Sequence, residues 1–119
     1  MTQSFDFKQQ LTQKLKRFQE FVFVSDSALK HSRESLELHL SPDNTCLDRA
    51  TVGNYITVKQ IYAPRNVTRQ LQYYSFEPER QVQLLSKTNT GSVIVNLNNT
   101  LVGIGAEIAR RIVVSQLGE

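Results

Sequence analysis

Ser92-Val93-Ile94-Val95-Asn96-Leu97-Asn98-Asn99-Thr100-Leu101 carries the clearest structural signal in the chain. Apolar side chains fall at Val93, Val95 and Leu97, with Ile94 making the alternation less clean. Successive side chains of a strand point to opposite faces, so this period of two predicts a half-buried strand. Asn98-Asn99 then separates Leu97 from Leu101. Asparagine tolerates positive φ better than most residues, which suits a two-residue primed turn between antiparallel strands. Working backward, Gln81-Val82-Gln83-Leu84 alternates too, and Thr88-Asn89-Thr90-Gly91 supplies a turn between the two runs. The span from Val67 to Val114 therefore reads as a short helix, two hairpins and a closing helix–strand pair. Short strands joined by tight turns close most economically into a small barrel, a form better suited to binding than to chemistry.

Working outward, Val52-Gly53-Asn54 reads as a turn feeding a strand from Tyr55 to Ile61. Pro64 breaks that strand, and Asn66 is the expected N-cap of a helix over Val67–Tyr74, with Leu71 and Tyr74 facing the core. Pro78 ends this excursion. A helix over Ala106–Arg111 would bury Ile108, Ala109 and Ile112, and Val113-Val114 forms the last strand. Toward the N-terminus, Phe7, Leu11, Leu15, Phe18 and Val22 repeat at four-four-three-four spacing, one face of an amphipathic helix over about residues 5–20. Phe21–Val24 and Leu36–Leu40 read as strands that pair as a hairpin, with a short helix from Asp26 between them. Ser41-Pro42-Asp43-Asn44-Thr45 marks a boundary. The expected organisation is an α+β appendage at 1–45 and a small barrel domain at 46–119, mainly β with short helices.

A chain of 119 residues is long enough to bury a core without staples. A single cysteine, Cys46, excludes an internal disulfide and a Cys-rich zinc site, and it suits a reducing compartment. The start of the chain lacks the apolar segment of a signal peptide. Phe21–Val24 is the longest apolar run, far short of a membrane span. These features predict a cytoplasmic protein. The net charge of +3 sits in residues 47–119, with eight Lys/Arg against five Asp/Glu, whereas residues 1–46 hold six of each. Lys59, Arg65, Arg69, Arg80, Lys87, Arg110 and Arg111 are spread over several elements, more like a solvated basic face than a phosphate-binding footprint.

The order of these elements resembles the FeoA family, the small cytosolic partner of the bacterial ferrous iron permease. The likeness covers about Leu47 to Val114. Leu47, Gly53 and the strand after it match the family's opening. The helix over Val67–Tyr74 and the loop Ser75-Phe76-Glu77-Pro78-Glu79 occupy the places of its helix and glycine–proline loop. Val82–Leu85, Gly91 and Val93–Leu97 fit its first hairpin. Val102-Gly103-Ile104-Gly105, Ala109, Ile112 and Val114 line up with its closing strand, short helix and last strand. The chain departs from the pattern at Ser75 and Glu79, which replace two loop glycines. It departs again at Gly105, where an arginine is usual, and at Asn98-Asn99, where the second hairpin has a glycine. The resemblance implies an SH3-like barrel, a module that also forms the C-terminal domain of iron-dependent repressors. It implies a protein partner, the membrane GTPase that moves Fe²⁺, no catalytic residue, no cofactor, and a location at the inner face of a membrane.

Residue chemistry leads to the same class. His31 and His39, with Glu34 and Glu37 between them, read as a solvated strand face, since metal binding needs ligands converging on one point. Cys46 lacks a neighbouring base, and Glu77 and Glu79 sit in a loop without the apolar setting that raises a carboxylate's pKa. No Gly-Lys-Ser/Thr follows Gly91, Gly103 or Gly105, so a phosphate loop is excluded. An enzyme is not expected. The candidate partner-binding residues are Arg69, Tyr73, Tyr74, Phe76 and Arg80, because tyrosine and arginine anchor protein interfaces and three aromatics around one helix end exceed what a small core needs. Three other readings accompany this one. The tyrosines of a basic barrel can stack nucleic-acid bases. The barrel can serve as a subunit or assembly factor of another membrane-associated complex. The stripe Phe7, Leu11, Leu15 and Phe18 can join two copies in a homo-oligomer.

Overall fold

The computed structural model describes residues 20–29 and 40–116. The helix expected over residues 5–20 lies outside the described residues except at its last position. So does the strand expected over 36–40, except Leu40.

Among the described residues, seven strands form one mixed sheet: β1 Glu20–Val24, β2 Asn44–Cys46, β3 Tyr55–Ile61, β4 Gln81–Lys87, β5 Val93–Leu97, β6 Thr100–Ile104 and β7 Ile112–Ser115. The helices are α1, Arg65–Tyr73, and α2, Ala106–Ala109, with 3-10 turns at Asp26–Leu29 and Leu47–Arg49. The hydrogen-bonded order is β1-β6-β5-β4-β3-β7-β2. All pairs are antiparallel except β1 with β6. The sheet rolls around a single apolar cluster that takes Val24 from β1, Val58 from β3, Leu84 from β4, Val95 from β5, Ile104 from β6 and Val114 from β7. Two bulges help it curve, between Val58 and Gln60 against β7 and between Leu84 and Ser86 against β5. The result is the expected small barrel, mainly β with short helices.

The alternation in the founding stretch holds. Val93, Val95 and Leu97 are buried, and Ile94 and Asn96 are half-buried on the other face. Asn98 and Asn99 both have positive φ, 53° and 67°, as a type I′ turn requires. β7 is buried at all four positions, as a strand flanked on both edges by β3 and β2.

Three local expectations change. The helix begins two residues earlier than expected, at Arg65. The Pro64 carbonyl accepts the Val67 and Thr68 N–H groups, both at 3.0 Å, so the first turn closes without a side-chain cap. Asn66 is instead turned outward, and its Nδ2 donates to the Ala28 carbonyl at 2.7 Å. β1 pairs in parallel with β6, from Glu20 opposite Thr100 to Val24 opposite Ile104, so it belongs to the same sheet as the strands after residue 46. The short helix expected from Asp26 is present as a 3-10 turn.

The loop after α1 explains two departures from the resemblance. Ser75 has φ 71°, its N–H donates to Gln72 O at 2.8 Å, and the Phe76 N–H donates to Leu71 O at 2.9 Å. This is a Schellman ending with serine where glycine is favoured, and its apolar partners Leu71 and Phe76 are both fully buried. Glu77-Pro78-Glu79-Arg80 then makes a turn closed by Arg80 N–H to Glu77 O, with Glu79 at φ 73°. Pro at the second position and positive φ at the third define a type II turn, again a glycine site. A left-handed conformation costs a side-chain-bearing residue about 1–2 kcal/mol. Ser75→Gly and Glu79→Gly are therefore each expected to stabilise the fold by about 1 kcal/mol in urea unfolding, additively within error since neither alters a buried contact. A loss of stability from either would contradict the turn assignments.

A candidate protein-interaction surface on the first helix

α1 packs Val67 and Leu71 into the core and turns Arg65, Asn66, Arg69, Gln70, Gln72 and Tyr73 outward. Arg65, Arg69 and Tyr73 are four residues apart in succession, so they form one row along the outer face. Tyr73 is 81 % exposed. Its ring meets that of Tyr74 edge to face, with centroids 5.0 Å apart and planes at 89°. Tyr74 is half-buried and packs against the core. The contact therefore braces a protruding ring on an anchored one, a geometry favoured by the aromatic quadrupole.

Of the candidate residues, Arg69, Tyr73 and Tyr74 come together here. Phe76 is a correction: it is fully buried, at the position after the left-handed Ser75 where the Schellman ending places an apolar contact, and no partner can reach it. Arg80 lies beyond the loop and pairs with Glu77 at 3.4 Å. Arg65 belongs to the row and was missed, because assigning the cap to Asn66 leaves Arg65 outside the helix. Pro64 was the available signal, since proline halts the preceding strand and presents its carbonyl to a first turn.

Among the described residues, most other cations are occupied. Lys59 pairs with Glu79 at 3.5 Å, Arg110 pairs with Glu107, and Lys87 Nζ donates to the Asp48 carbonyl at 3.3 Å. Exposed pairs of this kind add little stability, yet they cancel local charge. The row on α1 thus carries its positive charge unneutralised by any ion pair among the described residues. A footprint resting on about six to ten phosphate contacts would need many more free cations on one face.

His31, Glu34, Glu37 and His39 lie outside the described residues. Among the described residues no group of His, Cys, Asp and Glu is placed to hold a metal ion. An open cleft of about 370 Å³ is lined by polar residues including Asp43, Arg49, Thr51 and Gln116. Ligand pockets are instead mostly apolar and enclosing. Burial pushes the Cys46 thiol above its ordinary 9.0, the Asp48 carboxylate adds to this, and Arg49 opposes it. A raised thiol pKa means the native state holds its proton longer than the unfolded chain. Stability from this source is complete below pH 9 and falls as pH rises through the gap between the two values. Cys46 is accordingly expected to alkylate more slowly at pH 8 than a free thiol. Alkylation at the rate of an unfolded control would refute that environment.

Over about two-thirds of the chain, this rolled sheet with a helix crossing between β3 and β4 and a short one before β7 has the fold of FeoA proteins. A solved FeoA, an iron uptake regulatory protein, superposes with a TM-score of 0.57 over 62 % of this chain and 99 % of its own, at 23 % identity. The FeoA protein of Chlorobium tepidum gives 0.57 over 62 % of this chain and 71 % of its own, also at 23 % identity. A manganese-dependent transcriptional repressor gives 0.58 at 21 % identity over 66 % of this chain, which spans only 44 % of the repressor. The sequence matches no protein-family model and no curated protein. Among the described residues no helix is long and apolar enough to cross a membrane.

Proposed function

We propose that this chain is a non-catalytic, cytoplasmic protein-binding module that acts as a FeoA-type accessory of a ferrous iron transport system, engaging a protein at the inner face of the membrane. The observation that carries the reading is the superposition on a FeoA chain over 99 % of that chain's length. The row of Arg65, Arg69 and Tyr73 supports it: two guanidinium groups with no ion pair among the described residues and a braced, exposed tyrosine suit an acidic protein surface with a slot for an aromatic ring. The repressors that share the fold support a binding role as well, though they do not distinguish one partner from another.

Tyr73 is 81 % exposed and its ring meets only the half-buried Tyr74, so Tyr73→Ala is expected to change unfolding stability by no more than about 1 kcal/mol. The same variant is expected to weaken retention on native membranes at least about tenfold, the effect of losing one interface anchor. Co-sedimentation of the purified chain with membranes from its own cells, wild type against Tyr73→Ala, measures this. Equal retention of both, or none of either, would remove the proposed surface.

A further inference from the structure

Residues 20–29 contact the rest of the chain in the way a bound peptide contacts a sheet edge. β1 lies along β6 in parallel register, and the Gly105 N–H donates to the Val24 carbonyl at 2.9 Å. Only Val24 and Leu29 of these ten residues are fully buried. Two glycines make room for the segment. A Cβ on Gly103 would stand 2.5 Å from Phe23 Cδ1, and one on Gly105 would stand 2.7 Å from Asp26 Cγ and 2.8 Å from the Asp26 backbone nitrogen. The Asp26 carboxylate then accepts the N–H groups of Glu107 at 3.1 Å and Ile108 at 3.0 Å. Asn66 Nδ2 holds the Ala28 carbonyl from α1. Three elements, β6, α2 and α1, thus each recognise the segment through a different group.

The segment reaches the sheet only along its outer edge, since β1 pairs with β6 and with no other described strand. We propose that the β6 edge is a strand-accepting site and that residues 20–29 are its resident, removable occupant. The ligand in trans is a protein segment in extended conformation, with a buried apolar residue followed two positions later by an aspartate, as in Val24-Ser25-Asp26. Such a segment adds to β6 by main-chain hydrogen bonds, the mode of strand addition in which side-chain slots set specificity. The resident strand keeps the edge closed to unmatched chains, a protection that exposed edges require. This site is separate from the α1 row and stands whether or not the partner belongs to iron transport.

The test uses the full chain with a protease site inserted after Glu34, and a fluorescein-labelled synthetic peptide of residues 18–30 read by fluorescence polarisation. Before cutting, the tethered strand competes at an effective concentration near millimolar, so the peptide is expected to bind at least about a hundredfold more weakly than after cutting. After cutting, the peptide saturates the site and displaces the N-terminal fragment. An Asp26→Ala peptide is expected to bind about tenfold more weakly, the effect of removing a carboxylate that satisfies two N–H groups. The proposal is overturned if the cut chain takes up no peptide, if cutting changes nothing, or if the Asp26→Ala peptide binds equally well. A circular-dichroism spectrum that collapses as the fragment leaves overturns it too, because β1 would then be an integral strand.

Discussion

Phe76→Ala is expected to destabilise the protein by about 3–5 kcal/mol, the range for emptying a fully buried phenylalanine site. Phe76 is the largest of the fully buried side chains. It sits where the chain turns from α1 into the loop before β4, and its N–H is tied to Leu71 O. The cavity would open between α1 and the sheet, and the left-handed Ser75 preceding it restricts how far the backbone can follow. A domain of this size has about 5–15 kcal/mol to lose, so the variant should unfold at markedly lower urea concentration with an unchanged slope. Phe76→Leu, which keeps most of the volume, should cost about 1.5 kcal/mol or less. A cost below about 1 kcal/mol for Phe76→Ala would mean that the ring faces solvent and belongs with the interface aromatics after all.

Gly105→Ala should be nearly as damaging, for a different reason. Gly105 has φ −61° and ψ 157°, a conformation open to any residue, so backbone strain plays no part. The cost is steric: the added methyl meets the Asp26 backbone nitrogen, which cannot move without β1. Overpacking of this kind costs about 1–3 kcal/mol, and losing the Asp26 contacts to Glu107 and Ile108 adds about 1–2 kcal/mol. A total of about 2–5 kcal/mol is expected. Asp26→Ala alone should cost about 1–2 kcal/mol. The double variant should cost less than the sum, since both changes remove the same contact. Gly103→Ala gives the contrast. Its methyl meets the ring of Phe23, which is 54 % exposed and free to swing outward, so the cost should stay near 1 kcal/mol. Equal effects at the two glycines, or full additivity of Gly105→Ala with Asp26→Ala, would contradict the docking of residues 20–29.

What was legible in the sequence was local. The β4–β5–β6 meander follows from alternation and from turns whose residues tolerate positive φ, and those signals operate within ten residues. The pairing of β1 with β6 joins positions 80 apart, Glu20 with Thr100, and no local pattern announces it. A fainter trace existed: Gly103 near the end of β6 and Gly105 just after it leave the backbone bare at two nearby positions, and a glycine in or beside a strand often marks where another backbone approaches closely. The exposed row on α1 was half visible. Tyr73, Tyr74 and Arg69 stood out by composition, but which aromatic was buried depended on the left-handed residue at Ser75, a conformation that serine does not advertise. Arg65 depended on where the helix began, and the competing claims of Pro64 and Asn66 are settled only when Asn66 is seen bonded to Ala28.

The proposed function sets a membrane-bound partner against the outer face of α1. The most direct measurement places a photo-crosslinking amino acid at position 73 and, as a control, at position 55, where Tyr55 is 61 % exposed on β3. After irradiation in the cells of origin, a single crosslinked integral membrane protein of a ferrous iron transport system is expected from position 73, lost on substituting Arg65 and Arg69 with glutamate, and little or none from position 55. Identical crosslinks from both positions, or products containing only soluble proteins or nucleic acid, would contradict it.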